Sequence, residues 1–239
     1  MSDDDTGGDS GASSEPKQGW GPPGSTTTTL VLVRHGVTDA TTGKRFSGGL
    51  ASSNPPLNDQ GRQQAAATGE WLVPLADTFD ALVASPVRRT RETAEILSGF
   101  LGLEVEEEPG LAEMEFGSWD GLSFTEVREK WPDEMSAWLG DLDAAPHGGE
   151  SFRAVEKRVL EGRDRLLATY AGKTAVAVSH VTPIKTLVAH ALGAPLDAVY
   201  KMELAPASVT VLSYFDVGQE GEMMSSLRLF NGRPTDVFG

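Results

Sequence analysis

The residues best suited to chemistry are Arg34, His35 and Gly36, which directly follow the apolar run 30–33. Four apolar residues without alternation predict a strand buried on both faces, as in a parallel sheet covered by helices. Ligands of open α/β sheets bind just beyond the carboxyl ends of such strands. A guanidinium, a titratable imidazole and a permissive glycine there indicate a site that handles phosphate. The tripeptide alone is equally compatible with a solvated arginine, a capping histidine and a turn glycine.

Two further apolar runs also end in polar residues. Ser85 follows the run 79–84, and His180 follows the run 174–178 through Ser179. Because the carboxyl ends of parallel strands meet at one edge of a sheet, these residues are expected to converge with Arg34 and His35. Histidines and arginines without metal ligands among them favour nucleophilic chemistry on a phosphoryl group, with the imidazole attacking phosphorus and guanidinium groups balancing the oxygen charge.

The elements that must position these residues alternate between strands and helices from Thr27 onward, which is typical of an α/β fold. The irregular segment 108–150 holds three of the five tryptophans and is interpreted as a helical insertion that covers the site as a lid. The predicted strands are 30–33, 79–84, 103–106 and 174–178, with edge strands at 209–215 and 227–230. The predicted helices are 58–75 with Asn58 as N-cap, 87–101, 151–171, and one with Thr182 as N-cap that ends at Gly193.

Composition excludes several classes of function. The chain has 239 residues and no cysteine, which excludes disulfides, thiolate catalysis and cysteine zinc sites. Its net charge of −15 disfavours nucleic acid and anionic membranes, which bind proteins through neutralisation of their phosphates. An anionic substrate would therefore need basic residues concentrated in one pocket. No apolar run approaches the roughly 20 residues of a membrane span.

The chain divides into a tail and one domain. Residues 1–26 are rich in Gly, Ser, Asp and Pro and are predicted to be a disordered acidic tail or linker. Residues 27–239 are predicted to be a single domain. The tail lacks the apolar core of a signal peptide, so a cytoplasmic location is expected. The oligomeric state is left open.

Several separated blocks, found in one order, extend the phosphate-site interpretation across the chain. With these blocks, residues 28–231 resemble the histidine phosphatase superfamily, the phosphoglycerate mutase-like fold. The matching blocks are Arg34-His35-Gly36; Phe46-Ser47-Gly48 with Pro56-Leu57, Gly61 and Gln64-Ala65; SPVRRTRETA from Ser85; Leu111, Glu113, Gly117, Trp119 and Gly121; Pro146 to Ser151; and Val178-Ser179-His180.

The resemblance implies a three-layer α/β/α fold with a mostly parallel central sheet, and a metal-independent hydrolase of small phosphomonoesters that needs no cofactor. It assigns His35 as the nucleophile that forms a phosphohistidine and Glu113 as the acid and base. Arg34, Arg89 and His180 would hold the phosphoryl oxygens. Arg88 and Arg91 compete with Arg89, and Glu115 competes with Glu113. Further substrate contacts are expected from four residues: Thr38, Ser47, Gly48 and Val181.

The chain also departs from the family pattern. Val37 stands where the family commonly has glutamate, and Val181-Thr182 replace the usual Gly-Gly after the second histidine. The stretch from Ser179 to Lys185 is similar to the phosphatase half of bifunctional ribonuclease H/acid phosphatase proteins and to α-ribazole phosphatases, which suggests α-ribazole-5'-phosphate as a substrate. A cofactor-dependent phosphoglycerate mutase is the first alternative, although the lid carries only two basic residues, Arg128 and Lys130. A non-catalytic module that binds phosphorylated ligands is the second.

Overall fold

A computed structural model describes residues 21–22, 24–216 and 223–234 and shows a six-stranded sheet between helices. The strands are β1 (Thr26–Arg34), β2 (Ala81–Ala84), β3 (Val105–Glu107), β4 (Thr174–Ser179), β5 (Val209–Asp216) and β6 (Met223–Gly232). The helices are α1 (Asp39–Thr42), α2 (Asp59–Leu72), α3 (Arg88–Leu101), α4 (Phe124–Lys130), α5 (Pro132–Gly140), α6 (Phe152–Thr169) and α7 (Val181–Ala191). Four 3-10 segments lie at Val73–Thr78, Pro109–Leu111, Gly117–Trp119 and Leu196–Lys201.

The sheet order places β1 near the centre. The order is β3-β2-β4-β1-β5-β6; the first four of these strands run parallel, whereas β5 and β6 are antiparallel to their neighbours. Arg34 at the end of β1 pairs with Ser179 at the end of β4, and Ala84 at the end of β2 pairs with Val178. The three strand ends that carry polar residues therefore meet at one edge, as predicted.

Two apolar clusters lie on opposite faces of the sheet and confirm the three-layer architecture. Leu30 and Leu32 pack into one cluster, while Val31 and Val33 pack into the other, because successive side chains of a strand point to opposite faces. Helices α6 and α7 cover the first face, and α2 and α3 cover the second. The continuous apolar run of β1 is thus explained by burial on both sides, which contributes about 1.5–3 kcal/mol for each large side chain.

The insertion between β3 and α6 contains α4, α5 and two 3-10 segments, which confirms its helical character. Its aromatic side chains form a cluster in which Trp119 is fully buried and lies 5.5 Å, between ring centroids, from both Phe46 and Trp138. The cluster attaches the insertion to the loop after α1. The action of this insertion as a lid stays a prediction.

Several predicted boundaries differ from the structure. Thr182 is not the N-cap of α7; the helix starts at Val181 and His180 is its N-cap. The helix ends at Ala191, shortly before Gly193, whose φ of 62° is left-handed. Helix α1 lies between the first predicted strand and the first predicted helix, where none was predicted, and β6 starts four residues before the predicted strand. Residues 1–20 of the predicted tail lie outside the described residues. Strand β1 begins at Thr26, the last residue of that predicted tail.

No helix in the described part of the chain has both the length and the apolar character needed to cross a membrane.

Candidate active site

His35 is buried at the carboxyl end of β1 with its ring orientation set by hydrogen bonds. Its backbone N–H donates to Ser179 O (3.0 Å), and its carbonyl accepts from Ala207 N–H (3.2 Å). The ring Nδ1 lies 2.7 Å from Gly36 O and Nε2 lies 3.2 Å from Arg89 Nε. A carbonyl can only accept and a guanidinium can only donate, so the proton is on Nδ1 and the lone pair is on Nε2. Burial and the charges of Arg89 and Arg34 hold the pKa of His35 well below its usual range.

Gly36 is required here by a close approach between the loop and helix α2. A Cβ on Gly36 would lie 2.3 Å from Gly61 O, and a Cβ on Gly61 would lie 2.1 Å from Val37 O. Gly36 N–H also donates to Thr93 Oγ1 of α3 (3.2 Å). Two glycines thus allow the segment after His35 to be clamped between α2 and α3.

Arg89 lies in the first turn of α3 and is almost fully buried. Besides its contact with His35, its Nη1 donates to Ser47 Oγ (3.4 Å) and its Nη2 donates to the carbonyls of Ser47 (3.2 Å) and Gly48 (2.9 Å). Burial lowers its pKa, while the carboxylates of Glu113, Asp120 and Glu115 oppose that effect. The guanidinium is thus held by carbonyl groups beside the imidazole.

The two arginines that compete with Arg89 lie elsewhere. Arg88 pairs with Glu92 (2.7 Å) and Arg91 pairs with Glu107 (3.4 Å), both on the exposed side of α3. Arg89 is therefore the arginine of the SPVRRTRETA block that reaches the pocket.

Arg34 is the second guanidinium beside His35. Its Nη1 donates to Leu204 O, and its buried Nε has no partner among the described residues. Burial lowers the pKa of Arg34 to about 10, opposed by the charge of Glu113 and assisted by that of Arg89. A buried donor without a partner is costly, so Arg34 is ready to bind an anion.

His180 is fully buried and faces His35, with ring centroids 5.1 Å apart and planes at 61°. Its Nε2 lies 2.9 Å from Ser85 Oγ, and its Nδ1 has no partner among the described residues. Burial, Arg89 and His35 hold its pKa well below the usual range. Ser85 therefore orients His180 across from His35.

Glu113 lies on the loop that follows the 3-10 segment Pro109–Leu111 and lines one pocket with Arg34, His35 and Arg89, whereas the fully buried His180 lies behind His35 and does not line it. Its Oε1 accepts from Met114 N–H (2.9 Å). The competing Glu115 does not line the pocket, because its Oε1 accepts from Ala51 N–H (3.0 Å).

Arg158 of α6 holds the Glu113 loop and was not predicted. It donates to the carbonyl oxygens of Gly110 (3.1 Å), Ala112 (2.7 Å) and Glu113 (2.9 Å). It also forms a bidentate ion pair with Glu150, whose Oε2 accepts from Glu115 N–H. Glu150, which precedes the N-cap Ser151, therefore supports the Glu113 loop through Arg158 and through Glu115 N–H.

The predicted substrate contacts fall into two groups. Thr38, Ser47 and Val181 line the pocket, although Thr38 Oγ1 also accepts from Thr41 N–H (3.1 Å) as the N-cap of α1. Gly48 does not line the pocket; its N–H donates to Asp120 Oδ1 (2.9 Å) and its carbonyl accepts from Arg89. Gly48 therefore supports Arg89.

The pocket itself has a volume of about 270 Å³. Its lining also includes five residues outside the predicted contact set: Thr41, Arg45, Phe46, Thr182 and Phe116, the last of which was expected to contribute to specificity. Phe46 belongs to a block identified from the sequence, whereas Thr41 and Arg45 are marked by no motif. Among the described residues, no group of three or more His, Asp or Glu side chains is arranged to hold a metal ion.

Comparisons with known proteins agree with this geometry. The profile of the histidine phosphatase superfamily (branch 1) matches residues 30–226. The chain is 39% identical over 213 residues to Bifunctional protein Rv2228c of Mycobacterium tuberculosis, covering 89% of this chain and 56% of that protein. It is 35% identical over 175 residues to a glucosyl-3-phosphoglycerate phosphatase of Mycolicibacterium vanbaalenii, covering 70% and 76%.

A similar solved structure is the α-ribazole phosphatase from Shigella flexneri, with a TM-score of 0.73, 27% identity and coverage of 88% of this chain and 100% of that chain. The chain spans about half the length of the first of these relatives. Because the family profile matches most of the chain, this chain belongs to the histidine phosphatase superfamily.

Proposed function

We propose that the chain hydrolyses small phosphomonoesters without a metal ion, through a phosphohistidine formed on His35 Nε2. The observation that carries the proposal is the fixed tautomer of His35. Gly36 O holds the proton on Nδ1, so the lone pair is on Nε2 at the end of β1, next to two guanidinium groups. Arg89 Nε donates to this lone pair and releases it when a phosphoryl oxygen takes the place of Nε2 as acceptor. A neutral imidazole is the form that attacks phosphorus.

In the first step, His35 Nε2 attacks phosphorus in line with the ester oxygen. The P–N bond forms as the P–O bond to the leaving group breaks, and Glu113 donates a proton to the departing oxygen. In the second step, Glu113 takes a proton from water, the water oxygen attacks phosphorus, and the P–N bond breaks. Phosphate leaves, and His35 and Glu113 return to their starting states.

Positive charge for the transition state comes from the protein. Arg34 and Arg89 balance the equatorial oxygens, and His180 donates a further hydrogen bond. No side chain of the described residues caps the N-terminus of α7, and Val181 and Thr182 line the pocket, so backbone N–H groups there can also donate to phosphoryl oxygens. Thr38 and Ser47 add hydroxyl groups. Preorganised charge of this kind is what a loose phosphoryl transition state requires.

The test is hydrolysis of p-nitrophenyl phosphate with chelator present, comparing the unaltered protein with His35→Ala. We expect turnover to fall by about 10³-fold or more in the variant, since the nucleophile is lost. Rapid acid-free quenching followed by mass spectrometry should show a phosphorylated His35 peptide. Turnover that survives in His35→Ala, or that stops when chelator is added, contradicts the proposal.

The substrate screen separates the finer possibilities. α-Ribazole-5'-phosphate is the first natural ester to be measured, in view of the similarity to the Shigella flexneri structure. The mutase alternative is measured by transfer from 2,3-bisphosphoglycerate to a phosphoglycerate. The two lid cations, Arg128 and Lys130, are exposed and do not line the pocket, which disfavours binding of such a bisphosphate.

A further inference from the structure

A second cavity adjoins the candidate active site on the side of β5 and β6. Its volume is about 440 Å³, and Arg34 and Val181 line both cavities. Because Val33 pairs with Val209, and Val209 pairs with Gly232, β5 begins and β6 ends at the edge where β1 ends. The segment before β5 and the end of β6 therefore form the outer wall of this second cavity.

The wall is tied together by Asn231. Its backbone has a left-handed φ of 57°, which asparagine tolerates better than most residues. Its side-chain oxygen accepts from Ala205 N–H (2.7 Å), and its own N–H donates to Thr210 Oγ1 (3.2 Å). The second cavity is thus bounded by residues that are fixed to each other.

The charge of the second cavity is opposite to that of the molecule. Its lining includes the cations Arg34, Lys185 and Arg233 and one carboxylate, Glu203, whereas the whole chain carries a net charge of −15. A cleft lined by one sign of charge concentrates ligands of the other sign. The cavity is therefore suited to an anion.

Lys185 has the local environment expected of an anion-binding residue. It lies four residues after Val181 in α7, on the same side of the helix. It is half-buried, and in the part of the chain that the structure describes its ammonium makes no hydrogen bond or ion pair. Burial and the charge of Arg34 lower the pKa of Lys185, with Glu113 and Glu203 opposing. A partly desolvated ammonium without a partner is stabilised when an anion binds beside it.

We propose that the second cavity is a subsite for a second anionic group of the substrate, a carboxylate or another phosphate, with Lys185 as its main charge contact. The inference rests on the proposed function, because it requires the phosphoryl group to lie in the first cavity beside Arg34. The substrate class is then small phosphomonoesters with a second negative group. An uncharged leaving group, as in α-ribazole-5'-phosphate, leaves Lys185 without its anion.

The test uses pairs of esters that differ in the second group. For a carboxylate, 3-phosphoglycerate is compared with glycerol 3-phosphate; for a phosphate, fructose 1,6-bisphosphate is compared with fructose 6-phosphate. Release of inorganic phosphate is measured for the unaltered protein, Lys185→Met, Lys185→Arg and the control Lys157→Met, an exposed lysine of α6 outside both cavities.

We expect the unaltered protein to prefer the doubly charged ester of at least one pair in kcat/KM. In Lys185→Met the ratio of kcat/KM between the doubly charged ester and its partner should fall by about tenfold, because one charge contact with the substrate is lost. Lys185→Arg should restore most of it, and Lys157→Met should leave it unchanged. Equal losses for both members of each pair, or no preference in the unaltered protein, overturn the proposal.

A binding measurement separates this inference from the proposed function. Calorimetric titration of 3-phosphoglycerate and of fructose 1,6-bisphosphate into His35→Ala, with and without Lys185→Met, reports on the subsite when chemistry is blocked. Weaker binding of either ligand in the double variant supports the subsite even if no ester is hydrolysed, an outcome that would reject the proposed hydrolysis alone. If each ligand binds His35→Ala and the double variant with the same affinity, the subsite is rejected.

Discussion

The imidazole of His35 has two neighbours that require opposite roles of its nitrogen atoms. Gly36 O accepts from Nδ1–H, and Arg89 Nε donates to Nε2. Protonation of Nε2 would place a second donor against Arg89, which is one physical reason for the lowered pKa of His35. The same contact that holds Arg89 in the pocket thus keeps the imidazole neutral.

This arrangement predicts the titration of His35. Long-range proton–nitrogen NMR at pH 6 should show a neutral ring with the proton on Nδ1. Arg89→Met removes a nearby cation, so we expect it to raise the pKa of His35. An imidazolium at pH 6, or a neutral ring protonated on Nε2, would contradict the assignment.

At the residue scale, motif spacing predicted most of the pocket. His35, Arg34, Arg89 and Glu113 all line it. Arg158 could not be predicted in this way, because it acts on backbone carbonyls of a loop that is distant in sequence and carries no motif of its own. The F-x-G spacing does not reveal that the N–H and carbonyl of Gly48 are bonded to Asp120 and Arg89, so a direct substrate contact from Gly48 stays a prediction.

At the scale of elements, helix α6 positions the Glu113 loop through Arg158. Arg158→Met removes three hydrogen bonds to loop carbonyls and the partner of Glu150. We expect kcat to fall by about 10- to 100-fold, because small displacements of a catalytic group are costly. KM should change by less than about threefold, since the phosphate contacts stay in place.

The matched control for Arg158 is Arg153→Met on the same helix. Arg153 pairs with Glu156 on the surface, where ion pairs contribute little, so kcat should be unchanged. If Arg158→Met loses stability while the folded enzyme keeps its kcat, Arg158 does not position Glu113.

Helix α2 depends on Gly61 for its approach to Val37. In Gly61→Ala, the added Cβ would lie 2.1 Å from Val37 O, so the helix must move. We expect the free energy of unfolding to fall by about 3 kcal/mol, as in other overpacked sites. Gly99→Ala in α3 is the control, because among the described residues no atom outside its own stretch of helix lies within 4 Å of the added Cβ, and it should stabilise the protein by about 0.5 kcal/mol. Chemical denaturation of both variants measures the difference; equal effects would contradict the close approach.

Element types were more predictable than their boundaries. The strands β1 and β4 could be recognised in the sequence, since a strand covered on both faces is apolar throughout. The start of α7 was misplaced because Pro183 is tolerated anywhere in the first turn, where N–H groups lack helical partners. Helix α1 was missed because it is one turn long and uses a Thr38–Thr41 capping pair. The extent of β6 was missed because an edge strand with exposed Met223 and Met224 lacks a clear alternation.

At the scale of the whole molecule, the two buried histidines couple the site to acid stability. Their folded-state pKa values lie below the unfolded value, so below about pH 6.5 the unfolded chain binds more protons. Stability from this source is therefore present above pH 6.5 and is lost as the pH falls below it. Each histidine that stays neutral in the folded protein lowers the free energy of unfolding at pH 5.5 by about 1.4 kcal/mol relative to its value at pH 8.

Denaturation curves at pH 8 and pH 5.5 measure this effect. The loss of stability between the two pH values should be about 3 kcal/mol smaller in the double variant His35→Gln/His180→Gln than in the unaltered protein, with each single variant giving about half. An unchanged pH dependence in the double variant would show that the two rings do not resist protonation.

The hydrogen bonds that hold His35 from both sides of β1 also have a stereochemical consequence. Its N–H is bonded to Ser179 and its carbonyl to Ala207, while the ring is tethered to Gly36, so in the proposed mechanism the imidazole keeps one orientation from bond formation to bond cleavage. The incoming water must then use the opening through which the alcohol departed. In the proposed two-step reaction each displacement inverts the phosphorus centre, and two inversions cancel. A phosphoryl group made chiral with oxygen isotopes should therefore keep its handedness when it passes from the ester to an acceptor.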